Sequence, residues 1–407
     1  MTLYPRHRID IGFDDLGFAA RACLERGDRG LEAGRALEAE WEAVVCLSVR
    51  SAFDLYLSAL ALPRGSEVIT TALTIPGMLR VLEEHGLLAV PVDLDPRTLA
   101  PEPAWVEAAI TPRTRAVLVA HLMGGRLDLA PIAALARAHR LVLIEDLAQG
   151  FTGPGWKGHP EAEISMFSFG SIKTATALGG AIAVVRNPQR RAAMAAAQAH
   201  WPVQPVGQYA QKVARTLALS SARGPVGYAV LAKGCDLTGR PLEEVLNAVT
   251  RGFADPAALL AGIRRRPCGP LQALLHRRIH RFDHSRFERR AAAGEALTQA
   301  LGAGTTVVGV DQPERSHWLF AVTVSDPAAL IAWLHRRGFD ATRAATSLSC
   351  VGATDERAPA QNVIALLQQL VFLPVWPEIP EADRARLAVE VRTWATEHSR
   401  PRPNRRT

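Results

Sequence analysis

The chain runs to 407 residues, of which 48% are hydrophobic and 21% charged, with a formal net charge of +7. That length exceeds a single ordinary core and predicts two domains, while the balance of apolar and charged residues excludes a disordered chain. No apolar run is long enough for a bilayer span, and five scattered cysteines without CxxC spacing exclude a disulfide framework and a zinc site.

The opening residues, Met1 to Arg6, carry no apolar leader, so the expected location is the cytoplasm. From about residue 44 to residue 186, strand and helix patterns alternate. Apolar β-rich runs stand at Glu67–Ile69, Leu88–Val92, Ala116–Val119, Leu141–Ile144 and Ala181–Val185. Helical patterns at Gly77–His85, Trp105–Ile110 and Leu129–His139 separate the first four. Such alternation predicts parallel βαβ units, whose ligand sites lie at the carboxyl ends of strands.

Between Glu163 and Asp236 there is no acidic residue, while Lys173, Arg186, Arg190, Arg191, Lys212, Arg215, Arg223 and Lys233 fall inside. After the break at Trp201–Pro205, Val206, Tyr209, Val213 and Leu217 recur at helical spacing, and a second apolar segment covers Val226–Leu231. One reading is a helical hairpin packed on the body or on a subunit partner. The other places residues 197–235 on an anionic membrane surface or a lipid-linked substrate, which would make the protein peripheral at the inner membrane.

A long basic helix is expected over Leu271–Leu301. His276, His280 and His284 recur there every four residues. The interleaved Arg277, Arg278, Arg281 and Arg286 favour a charged, anion-facing helix, and no metal site is expected. A strand at His317–Val324 and helices at Pro327–Arg337 and Glu381–His398 complete a second α/β region. Residues 400–407 read as a basic, solvated tail.

Lysine is scarce. Lys157, Lys173, Lys212 and Lys233 are the only four among 47 basic residues. Arginine cannot deprotonate to a nucleophile and lysine can, so a retained lysine points to a need for an amine. Lys173 lies in uncharged surroundings, Met166 to Gly180, which lower an ammonium pKa and suit Schiff-base chemistry. Composition alone leaves a lysine snorkelling from a loop equally open. The run Leu141–Ile144 leads directly into Glu145 and Asp146, where a carboxylate can hold a heterocyclic nitrogen protonated or simply cap a helix.

Taken in order, Ile144-Glu145-Asp146-Leu147-Ala148-Gln149, then Phe167-Ser168-Phe169, with Lys173 five residues after the serine, resemble the DegT/DnrJ/EryC1/StrS family of pyridoxal-phosphate (PLP) dependent sugar aminotransferases. The likeness takes in Asp93–Pro96, Ala109–Val117, His121–Gly124, Leu271–Ala273 and Phe372–Pro377, and leaves out residues 197–255. The resemblance implies a Schiff base at Lys173, Asp146 on the pyridinium nitrogen, Gln149 on the ring 3-oxygen and Ser168 on the phosphate. Arg50 and Ser51 fall where the family's helix start holds the phosphate through backbone N–H groups. Ile75 replaces the aromatic residue that stacks on the ring. Arg265 and Arg266 stand at the family's phosphate clamp, which comes from the neighbouring subunit. A histidine replaces the lysine in the family's dehydratase branch, so Lys173 points to the aminating branch.

The resemblance therefore implies an α/β, fold type I homodimer with a large domain of mixed, mostly parallel sheet and a smaller C-terminal α/β domain. The expected boundaries are 1–196 for the large domain, 197–255 for a helical insertion, 256–399 for the dimer-contact helix and small domain, and 400–407 for the tail. The expected partners are a small-molecule amino donor, glutamate by resemblance, and a keto acceptor that is a sugar or a related lipid- or nucleotide-linked compound; no nucleic acid is expected. The rival reading is a PLP-binding protein with a regulatory or membrane-scaffold role and no turnover.

Overall fold

The computed structural model describes residues 2–220, 222–250, 258–343, 347–352 and 359–398. The tail at 400–407 and the last five positions of the expected insertion lie outside the described residues. Seven strands form the central sheet: β1 (Ala43–Cys46), β2 (Glu67–Thr71), β3 (Leu88–Val92), β4 (Thr114–Ala120), β5 (Val142–Leu147), β6 (Ile164–Ser168) and β7 (Ala181–Val185). Their order is β1-β7-β6-β5-β4-β2-β3. The neighbours from β3 to β6 run parallel, and β7 is antiparallel to both β6 and β1.

Both faces of the sheet are buried, which is why its central strands read as apolar runs. Ile144, Ala116 and Val68 pack beneath the helices Val49–Leu60 and Pro76–Glu84, while Leu143, Val117 and Ile69 pack beneath Ala130–Ala138. The apolar-run reading missed β1 and β6. Strand β6 carries a buried serine, Ser165, in mid-run, and its Oγ donates to Glu145 Oε2 at 2.5 Å.

The expected single helix over Leu271–Leu301 is two helices, Gly269–His280 and His284–Leu301. Asp283 caps the second by accepting from the Arg286 N–H at 2.9 Å. The break has a packing cause. Leu271, Leu274, Leu275 and Ile279 enter the core of the large domain, whereas Ala293, Leu297 and Leu301 enter that of the small one.

The small domain is built on a three-stranded antiparallel sheet, Thr306–Val307, Phe320–Thr323 and Leu370–Leu373. The amino terminus packs here, although the expected boundary placed it in the large domain. Tyr4 stacks on Phe339 with ring centroids 5.6 Å apart, and Trp376 Nε1 donates to the Pro5 carbonyl at 3.0 Å.

Residues 206–250 form the helices Val206–Ser220, Pro225–Thr238 and Leu242–Thr250. Tyr209 and Val213 are buried in the large-domain core, and Tyr228 Oη donates to Asp340 at 2.6 Å. Leu217, Val226 and Val230 are exposed. No helix among the described residues is long and apolar enough to cross a membrane.

Candidate active site

Parallel strands end on one edge of the sheet, and the chemistry gathers there. Side chains alternate along β5, so Glu145 and Asp146 face opposite ways. Glu145 is fully buried, with Oε1 3.0 Å from His121 Nε2 and Oε2 accepting from the His159 N–H. His121 Nδ1 accepts from the Leu127 N–H, which leaves its proton on Nε2, toward Glu145. Asp146 turns into a cavity of about 630 Å³.

Lys173, Gln149, Ser168, Arg50 and Ile75 line the same cavity. The loop between β6 and β7 fixes Lys173. Its N–H donates to the Gly170 carbonyl, and Thr176 Oγ1 donates to the Phe169 and Gly170 carbonyls. Two residues of that loop, Ala175 and Leu178, hold left-handed backbones (φ 53° and 61°). Such a conformation is disfavoured in non-glycine residues and persists because the surrounding bonds fix it. Gln149 Oε1 accepts from the Met123 N–H at 2.8 Å, so the amide N–H₂ is left for the cavity. Arg50 reaches in across Gly77, where a Cβ would come 2.7 Å from its Cδ.

The remaining expected residues lie elsewhere. Ser51 Oγ donates to the Ile263 carbonyl at 2.7 Å, and its backbone N–H is bonded to the helix cap, Ser48 Oγ. Neither Arg265 nor Arg266 is on the cavity wall. Arg266 instead donates from Nε to the Trp201 carbonyl and pairs its backbone with Val203.

Burial dominates the electrostatics. It pushes the Lys173 ammonium down to about 8, opposed by Asp146 and assisted by Arg50. It raises the Asp146 carboxyl, against the Ala148 N–H and Lys173, which both lower it. A neutral amine is therefore accessible near physiological pH, and the carboxylate would be stabilised by a cationic N–H placed against it.

The sequence reading missed three contributors. Lys212 lines the cavity; as one of only four lysines, its scarcity was the available signal. Trp318, hidden in an apolar run, lies under the Lys173 amine. The amino-terminal His7 sits 3.0 Å from the Ile172 carbonyl, and burial holds it neutral with a pKa of about 4. No local pattern connects His7 to a loop 165 residues away.

The cavity suits PLP. It offers a depressed amine for the aldehyde, a buried carboxylate for the ring nitrogen, an amide for the ring oxygen and a serine-capped helix start for the phosphate. Ser171 Oγ, buried on its wall, has no partner among the described residues, as expected where a polar ligand completes the site.

Residues 32–233 match the model of the DegT/DnrJ/EryC1/StrS aminotransferase family. Over that span, 202 of its 407 residues, the chain carries the pattern of that family. It is a PLP-dependent aminotransferase, and its cofactor is pyridoxal 5'-phosphate. The aminotransferase shares its fold with TlmJ from Streptoalloteichus hindustanus, at 18% identity, TM-score 0.70, and coverage of 97% of this chain and 99% of that one. It likewise resembles NtdA from Bacillus subtilis with bound cofactor PMP, at 17% identity, TM-score 0.70 and coverage of 97% and 86%. The sugar aminotransferase CalS13 from Micromonospora echinospora is similar at 18% identity, TM-score 0.65 and coverage of 96% and 100%.

Proposed function

We propose that this aminotransferase transfers an amino group from glutamate to a keto group on a sugar or related acceptor, with Lys173 as its catalytic residue. The observation that carries the reading is one cavity holding a depressed lysine amine and a buried strand-end carboxylate. When bound, the cofactor supplies an aldehyde for amino-group exchange and a ring that acts as an electron sink. Lys173 Nζ would hold the cofactor through its amine and would carry a proton at the reacting carbon of the substrate. Asp146 would keep the ring nitrogen protonated. Gln149 would donate its amide hydrogens to the ring oxygen, and Ile75 would pack on the ring. Ser168, Arg50 and the helix start at Ser48 would bind the phosphate.

The protein acts in the cytoplasm as a homodimer, in which Arg265 or Arg266 of one copy completes the phosphate site of the other. Sugar aminotransferase activity is supported by the similarity to CalS13, which is described as a sugar aminotransferase. The test is spectroscopic. Glutamate should bleach the visible band of the PLP-loaded protein, and a nucleotide-linked keto sugar should restore it. A loaded protein whose band ignores every amino donor would overturn the proposal.

A further inference from the structure

The helix Val206–Ser220 sends Lys212 into the active-site cavity, a role that neither a structural hairpin nor a membrane-facing surface requires. Three tethers tie its helix and the neighbouring segments to the helix start at Ser48. Tyr209, almost one turn earlier, donates from Oη to the Ala177 carbonyl at 2.9 Å, which pins the helix on the loop before β7. In that loop the Gly180 N–H donates to the Leu47 carbonyl at 3.0 Å, beside the helix cap Ser48. Ser51 Oγ in turn holds the Ile263 carbonyl, and Leu259, in the same short helix as Ile263, lines the same cavity as Lys212. Lys212 thus shares a cavity with Ser48 and Val49, the amino-terminal end of the helix Val49–Leu60, where the backbone dipole is positive.

The amine has no counter-charge of its own. Among the described residues no carboxylate makes an ion pair with it, and burial alone draws it down to about 8. The acids on the cavity wall are otherwise engaged. Glu83 pairs with Arg80 at 3.0 Å, and Asp146 accepts from the Ala148 N–H and attracts Lys173. A cation directed into a cavity beside a helix start, with no anion of its own, is arranged for an incoming one. A phosphate monoester carries about −1.5 to −2 charges; a helix terminus offsets only about half a charge and Arg50 one more, so a second cation completes the balance.

We infer that Lys212 is a phosphate-binding residue of this chain, supplying from its own helical segment a cation that a phosphate needs at the Ser48 helix start. The phosphate is that of the cofactor or of a phosphorylated acceptor, and the cofactor assignment rests on the function proposed above.

The experiment compares full-length wild type with Lys212→Met and Lys212→Gln. Each protein is titrated with inorganic phosphate, read by thermal shift, and with PLP and unphosphorylated pyridoxal, read by absorbance. Loss of one charge-assisted contact predicts PLP binding weakened roughly 10- to 100-fold, pyridoxal binding unchanged, and protection by phosphate abolished. Unchanged PLP binding together with a raised KM for a phosphorylated acceptor assigns Lys212 to the acceptor's phosphate. Phosphate protection that needs Lys212 in a wild type that does not bind PLP would sink the function proposed above and leave the phosphate site standing. Variants that keep wild-type phosphate protection, PLP preference and acceptor KM overturn the inference.

Discussion

The Lys173 amine lies 4.1 Å from the centre of the Trp318 indole, and Trp318 Nε1 donates to the carbonyl of Ile172, the residue before that lysine, at 2.7 Å. One side chain thus fixes the backbone beside the lysine and holds its ammonium over an aromatic face. Trp318→Phe keeps the ring and leaves His7 on the Ile172 carbonyl, so it should cost about 0.5–1.5 kcal/mol. Trp318→Ala opens a cavity and should cost about 3–5 kcal/mol. Urea unfolding of both variants measures the difference, and equal losses would mean that the ring contributes little.

Lys173 should carry the cofactor. Borohydride reduction of the PLP-loaded protein followed by peptide mapping is expected to place the adduct on Lys173, and Lys173→Arg should yield none there. Lys212, also drawn down to about 8, is the informative competitor, and a dominant adduct on it would reassign the anchor.

Asp146→Asn should fold normally, because an amide oxygen can still accept from the Ala148 N–H. Turnover should fall by orders of magnitude, since a neutral partner does not hold the ring nitrogen protonated. Steady-state rates beside a PLP titration separate the two effects. Near-wild-type turnover would reduce Asp146 to a local cap.

The folded Lys173 pKa of about 8 lies below the unfolded lysine value of roughly 10.4. Between these values the unfolded chain binds more protons, so this group makes stability rise with pH across that window. Lys173→Met removes the titration. From pH 8 to pH 10 the urea midpoint of wild type should therefore gain on that of the variant. Parallel profiles would show that the amine is not depressed.

Gly77→Ala should displace Arg50, because the added methyl meets its side chain. Weaker PLP binding with little loss of stability is expected from a titration paired with thermal melts. Unchanged affinity would remove Arg50 from the phosphate site.

The helical insertion offers a membrane surface less charge than its sequence suggests. Lys212 lines the cavity and Arg223 stacks over Phe13 at 3.9 Å, which leaves Arg215 and Lys233 exposed near Leu217 and Val226. At about 1 kcal/mol per basic residue, two charges support only marginal binding to anionic vesicles. Flotation should show partitioning that neutralising Arg215 and Lys233 abolishes. Binding that survives both substitutions would call for an apolar contact instead.

The sequence by itself determined five of the seven strands of the central sheet and, through its family resemblance, the cofactor chemistry. Strands buried on both faces must be apolar along their length, which made β2, β4, β5 and β7 legible, and the edge strand β3 kept an apolar run as well. Asp146 ends such a strand, so its place at the carboxyl edge followed from local order, whereas Lys173 follows the unread β6 and was singled out by its uncharged setting and the family resemblance. Only the tertiary structure decided the rest. Folding sent Lys212 from an apparent basic surface into the cavity because Tyr209 and Val213 bury in the core and rotate it inward. It brought His7 to the Ile172 carbonyl and Trp318 to the Lys173 amine across long stretches of chain. It also divided Leu271–Leu301 between two cores. Helical and strand periods state which face of an element is apolar; which neighbour that face meets depends on packing between distant segments, and no local pattern encodes it.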